Sequence, residues 1–252
     1  KMSNYHFCSH EDAKNRIIQL GEDPKNVHVV GGLGLDYIYN TNLLDKNEIE
    51  QKLSFKLRKK NILVTYHPET LSEISAEDQI KQVLKALKNF SNIGIIFTIP
   101  NADAGGRIIS KLIDKFVESY DNSKVFKSMG HNLYLSCIAV FDGVVGNSSS
   151  GILEVPSFKK GTVNIGNRQD GRPFAKSIIK CNLCHQEIQQ SIDKLLSAKH
   201  KKICEKTINP YGNGGAADKI IKIIDKINLN NITPKKFVDY ELVNKKDKNG
   251  YI

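Results

Sequence analysis

FDGVVGNSSSGILEVPSFKKGTVNIGNRQDGR, residues 141–172, has the pattern of a strand, a turn of small polar residues, the start of a helix, and a second strand closed by a loop of Gly, Asn and Arg. Val144 and Val145 are β-branched and favour a buried strand. Gly146, Asn147, Ser148, Ser149, Ser150 and Gly151 follow at once and end it. Asn and Ser are preferred N-caps, so the apolar stretch from Ile152 opens a short helix whose first free N–H groups point back at the turn. Such a terminus attracts anions. The hydroxyls of Ser148, Ser149 and Ser150 add donors, and the glycines let a ligand approach the backbone, so a diphosphate fits without a cluster of lysines. Glu154, three or four residues into that helix, would be repelled by the phosphate and is better placed to accept hydrogen bonds from ribose hydroxyls. A plain structural role stays open for the same residues: the serines only cap a helix and Glu154 completes a capping box.

Working outward, strands alternate with helical patterns. HFCSH (6–10), VHVVG (27–31), NILVTYH (61–67), NIGIIFTIP (92–100), TVNIG (162–166) and SIIKC (177–181) have strand character. EDAKNRIIQLG (11–21), NEIEQKLSFKL (47–57), AEDQIKQVLKALKNF (76–90), RIISKLIDKFVESY (107–120), QEIQQSIDKLL (186–196) and DKIIKIIDKI (218–227) are amphipathic helices, and NLYLSCIAVF (132–141) leads into the strand at Gly143. This alternation predicts an α/β fold with a doubly wound parallel sheet. In such sheets ligands sit beyond the carboxyl ends of the strands, which draws HPET, PNAD, GNSSSG and GNRQDGR, each directly after a strand, to one crevice.

The chain has 252 residues with ordinary apolar and charged content, enough to bury a substantial core. No apolar run approaches the ~20 residues needed to span a bilayer, and no charged-then-apolar leader with a small-residue cleavage site is present. The expected address is cytoplasmic, with no membrane partner. Cys8, Cys137, Cys181, Cys184 and Cys204 are odd in number and scattered, which fits reduced thiols rather than a disulfide framework. The formal charge of +10 is spread over amphipathic helices and a C-terminal tail without aromatic interleaving. That argues for a solvated surface and an anionic small ligand, with no nucleic acid as partner.

Each crevice loop has a chemical and a structural reading. His67 ends its strand where an imidazole could donate to a phosphate oxygen or shuttle a proton, yet a lone strand-end histidine is more often structural. Asn101 could contact a nucleotide or simply start the turn that its neighbours dictate. Arg168 and Arg172 could neutralise a departing diphosphate through forked hydrogen bonds. Cys181, Cys184 and His185 spell C-x-x-C-H, but without a second ligand pair they do not make a metal site, and no cofactor is called for. His131 and Tyr134, at the entry to an apolar helix, default to capping or packing.

HPET, PNADAG, GNSSSGILEVPSF, TVNIGNRQDGR and NPYGNG resemble, in order and spacing, the hydrolysing UDP-N-acetylglucosamine 2-epimerases of the sialic-acid and nonulosonate pathways. The resemblance runs nearly to Ile227. It implies a glycosyltransferase-B-like architecture of two Rossmann-like domains: residues 1–40 as the end of the N-terminal domain, 41–227 as the UDP-binding C-terminal domain, and 228–252 as a tail. The family's UDP contacts fall on His67, Asn101, Ser148, Ser149, Glu154 and Arg168, with His67 also in the catalytic steps. The implied reaction takes a proton from C2 of the sugar, eliminates UDP in anti fashion to a 2-acetamidoglucal, and adds water to release N-acetylmannosamine. By the resemblance the proton-handling carboxylates lie in a segment before Lys1, so this polypeptide alone is expected to bind UDP weakly or not at all and not to turn over. Two alternatives remain: a UDP-N,N'-diacetylbacillosamine 2-epimerase, and the donor domain of a glycosyltransferase, whose acidic motif is commonly different from the one here. The expected partners are the UDP-sugar substrate and UDP, and helices rich in Ile and Leu leave room for a homodimer of the full-length protein.

Overall fold

The computed structural model describes residues 2–69, 72–100, 105–228 and 235–239. The chain forms two compact units, Lys1–Asp36 with Tyr211–Ile252, and Tyr37–Pro210.

In the first unit β1 (His6–Cys8) pairs in parallel with β2 (Val27–Val29). Helix α1 (Glu11–Gln19) joins them, its start capped by the His10 ring accepting the Ala13 N–H at 3.3 Å and its first turn carrying Glu11 and Asp12. Cys8, Ile18 and Val27 make a small core. Helix α2 (Gly34–Asn40) carries the chain into the second unit.

The second unit is a six-stranded, all-parallel sheet. Helix α3 (Lys46–Leu53) opens on a capping box between Asp45 and Glu48 and stops where Ser54 turns left-handed at φ 45°. After it come β3 (Asn61–Thr65), α4 (Ala76–Leu87), β4 (Gly94–Thr98), α5 (Gly106–Ser119) and β5 (Ser123–Phe126). Then follow α6 (Gly130–Val140), β6 (Gly143–Gly146), α7 (Ser150–Leu153), a 3-10 turn (Val155–Phe158), β7 (Gly161–Ile165), β8 (Ile178–Cys181), α8 (His185–Leu195) and α9 (Ala198–Glu205). The spatial order is β5-β4-β3-β6-β7-β8. Every residue of β3, β4, β6 and β7 is buried, as a parallel sheet covered on both faces requires. Side chains alternate across it: Ile62, Val64, Tyr66, Ile95 and Phe97 join α4, α5 and α8 in one core, while Leu63 and Ile96, also buried, point to the opposite face.

The last helix, α10 (Ala216–Ile224), belongs to the first unit, where the Asp36 carboxylate accepts the Ala216 and Ala217 N–H groups at 3.0 and 2.7 Å. These bonds hold the Asp36 carboxyl below its ordinary range. Also in this unit, Glu22 takes His6 Nε2 at 3.0 Å and Lys235 Nζ at 2.5 Å, and the Lys235 bond leads in pulling its carboxyl down to about 2. No helix among the described residues is long and apolar enough to cross a membrane.

The chain runs outward from β3 through β4 to β5, then returns to lay β6, β7 and β8 on the other side. Neighbouring loops after β3 and β6 therefore leave in opposite directions, and a crevice opens between them.

Candidate functional site

At that crevice the loops after β3, β6 and β7 meet. A cavity of ≈ 380 Å³ is lined by Thr65, His67, Thr98, Ser148, Ser149, Ser150 and Arg168, together with Ser128, Met129, His131 and Tyr134. Four residues proposed from the sequence, His67, Ser148, Ser149 and Arg168, thus line one cavity. Glu154 lies beside it, its Oε1 3.7 Å from Nε2 of the lining residue His131. Asn101 and the rest of PNAD lie outside the described residues, although Thr98 and Ile99 just before them reach the cavity. Arg172 is not part of the lining.

The serine turn is built differently from a capped helix. Helix α7 has only four residues, and Ser149, its N-cap, makes no side-chain capping bond. Glu154 ends the helix instead of standing inside it: its N–H donates to the Ser150 carbonyl at 2.9 Å, and its carboxylate faces His131, so there is no capping box. A helix this short has little macrodipole. What it offers an anion is individual donors: among the described residues the Ser148 and Ser149 N–H groups donate to no protein acceptor. The Ser148 hydroxyl is held by Ser150, whose Oγ lies 3.3 Å away and in turn meets the Tyr134 hydroxyl.

Gly146 makes the turn possible. Its φ is +139°, and a Cβ there would stand 1.9 Å from the Thr65 carbonyl oxygen of the paired strand. The next residue, Asn147, is fully buried and its carboxamide grips the main chain of His67 from both sides. Gln79 of α4 braces the same loop, accepting the Glu69 N–H at 2.9 Å and donating to the Glu69 carbonyl at 3.2 Å. His67 is consequently a buried histidine on a fixed backbone, 7 % exposed, in the lining of the cavity.

Burial raises the Glu154 pKa above its usual range, and the nearby His131 opposes the rise. The His131 ring itself stacks on Tyr37, centroids 4.2 Å apart. Burial likewise raises the Tyr134 phenol, so it stays a neutral hydrogen-bonding group. Of the capping or packing role expected for His131 and Tyr134, capping is corrected, since α6 begins without a side-chain cap, while the His131 stack on Tyr37 and the burial of Tyr134 are packing; both residues also line the cavity. Nothing in their local sequence could place them against a turn 16 residues on. In the C-x-x-C-H segment His185 Nδ1 meets Gln82 at 3.1 Å, and no group of three potential metal ligands exists among the described residues. All five cysteines are free thiols.

The order of the strands and a polar cavity at the switch point define a doubly wound, parallel α/β fold with a crevice of the kind that holds ligands beyond the strand ends. A family model described as UDP-N-acetylglucosamine 2-epimerase matches residues 1–225, and the chain belongs to that family. It is 39 % identical over 241 residues to the GDP/UDP-N,N'-diacetylbacillosamine 2-epimerase (hydrolyzing) of Campylobacter jejuni, covering 95 % of this chain and 62 % of the relative. It is 38 % identical to the polysialic acid biosynthesis protein P7 of Escherichia coli, covering 95 % of this chain and 61 % of the relative. The chain therefore spans somewhat over three fifths of the length of these proteins. The fold also matches the crystal structure of UDP-GlcNAc 2-epimerase from Neisseria meningitidis bound to UDP-GlcNAc, with TM-score 0.75, 19 % identity, and coverage of 89 % of this chain and 62 % of that one.

Proposed function

We propose that the protein is a hydrolysing UDP-N-acetylglucosamine 2-epimerase and that the UDP is held by the second unit, which covers most of the 41–227 stretch expected to do so. The observation that carries this reading is that Ser148 and Ser149, whose N–H groups donate to no protein acceptor among the described residues, line one cavity with Arg168 and His67. Backbone amides and a guanidinium suit a diphosphate that gains charge as it leaves, because they are fixed in place before the bond breaks. Glu154 would accept the ribose hydroxyls, beyond reach of the phosphates. His67 would donate to the departing phosphate or carry a proton in the elimination. No Asp or Glu lines the cavity among the described residues, so no carboxylate in it is assigned removal of the C2 proton.

A second substrate has specific support. The Campylobacter relative, 39 % identical, is named for N,N'-diacetylbacillosamine, so UDP-N,N'-diacetylbacillosamine is the alternative substrate. Incubating full-length protein with each UDP-sugar in deuterated water separates the readings. Epimerisation releases UDP and leaves deuterium at C2 of the free sugar. An intact donor without exchange speaks for a binding module and against the enzyme.

Glu154→Gln removes a charge-assisted acceptor and is expected to weaken UDP binding by about 1.5 to 3 kcal/mol, read by calorimetry. An unchanged dissociation constant would take Glu154 out of the site. A pH dependence follows from the raised pKa. Ribose hydroxyls need the ionised carboxylate, and a raised pKa means protonation begins at higher pH than for an ordinary glutamate. UDP affinity of the wild type should therefore fall on acidification while still above the usual carboxylate range, and the Glu154→Gln variant should lack that component.

A further inference from the structure

We propose that Asn147 is the positioning residue that locks the histidine loop to the arginine loop, an assignment that rests on the reading of the cavity as the UDP site. Asn147 Oδ1 accepts the His67 N–H at 2.7 Å, and Asn147 Nδ2 donates to the His67 carbonyl at 2.8 Å. Its own carbonyl accepts Arg168 Nη1 at 3.2 Å and Gln169 Nε2 at 2.8 Å, and its N–H donates to the Thr65 carbonyl at 3.2 Å. One residue with no exposed surface thus bonds the end of β3, the loop after it, and the loop after β7, and it directly precedes the serine turn.

The two-way grip on His67 demands one donor and one acceptor on a short side chain, which only asparagine supplies at this length. Aspartate has the same shape but turns an acceptor toward the His67 carbonyl, and alanine leaves both main-chain groups of His67 without these partners. Gln169 is 2 % exposed, and its amide nitrogen is spent on the Asn147 carbonyl. The Arg168 guanidinium is likewise oriented from the Asn147 main chain. A change at Asn147 is therefore felt at His67, Arg168 and the serine amides together, none of which it replaces.

The test uses full-length protein carrying Asn147→Asp or Asn147→Ala, with UDP affinity measured by calorimetry and the His67 ring titration followed by NMR. The lock predicts UDP affinity reduced about tenfold or more, a displaced His67 titration midpoint, and an Arg168→Ala effect that is smaller in the Asn147→Asp background than in wild type, since contacting groups are not additive. A folded Asn147→Asp variant with wild-type affinity and an unchanged His67 titration overturns the proposal. Wild-type protein that does not bind UDP overturns the reading of the cavity instead, and the His67 titration still judges the lock. Should neither variant fold, amide exchange in the wild type decides: a slowly exchanging His67 N–H supports the lock, and exchange at the rate of an open loop overturns it.

Discussion

His67→Ala in the full-length protein is expected to lower turnover by about two to four orders of magnitude while changing UDP affinity only severalfold, the range typical of a lost general acid or base. The backbone of the loop keeps its anchors in this variant. Both bonds from Asn147 and the brace from Gln79 go to main-chain atoms of the loop and survive the loss of the ring. The Ser148 and Ser149 amides and Arg168, proposed to hold the diphosphate, are untouched. Initial rates of UDP release and calorimetric titration with UDP provide the two readouts. Turnover at the wild-type rate would remove His67 from the chemistry, and affinity lost in step with turnover would make it a binding residue only.

The second large effect concerns stability. Gly146→Ala should destabilise the protein by more than about 3 kcal/mol, because the new methyl would overlap a main-chain oxygen of the neighbouring strand and the backbone conformation is itself one that side chains disfavour. Main chain in a central strand cannot swing aside as a lysine tip can. β6 pairs with both β3 and β7, so any shift at Gly146 is transmitted to two strands. Gly34→Ala, where an added methyl meets nothing within 4 Å, is the control and should be nearly neutral. Urea denaturation of the two variants checks this, and a Gly146→Ala midpoint equal to wild type would contradict the strand-end geometry.

The parts of the fold with strong local signals were legible in the sequence. The buried apolar runs of β3, β4 and β7 and the serine-capped, amphipathic α4 fall within the stretches read as strand and helix. Three elements escaped. β5 is an edge strand, SKVF, mostly half-exposed and too short to alternate clearly. α9, within SAKHKKICEK, buries only His200 and Cys204, so its lysines hide the period. α2 begins among glycines that signal a turn. Helix α3 also stops four residues early, at Leu53, because Ser54 is left-handed.

The site divides along the same line. Loops after strands could be placed at one crevice from the alternation alone, since parallel strands all end on the same side. Which side chain meets which across that crevice depends on strand order and register. Asn147 reaches His67 across 80 positions because Gly146 pairs with Thr65, and no local pattern encodes that pairing. His131 and Tyr134 were hidden for the same reason: the start of α6 faces the turn after β6 only once the sheet is assembled.

A crystal structure with UDP tests the central claim most directly. The account predicts diphosphate oxygens about 2.7 to 3.2 Å from the Ser148 and Ser149 nitrogens and from the Arg168 guanidinium, with the ribose against Glu154. A nucleotide bound away from the turn after β6, or those two nitrogens already occupied by protein acceptors, would contradict it.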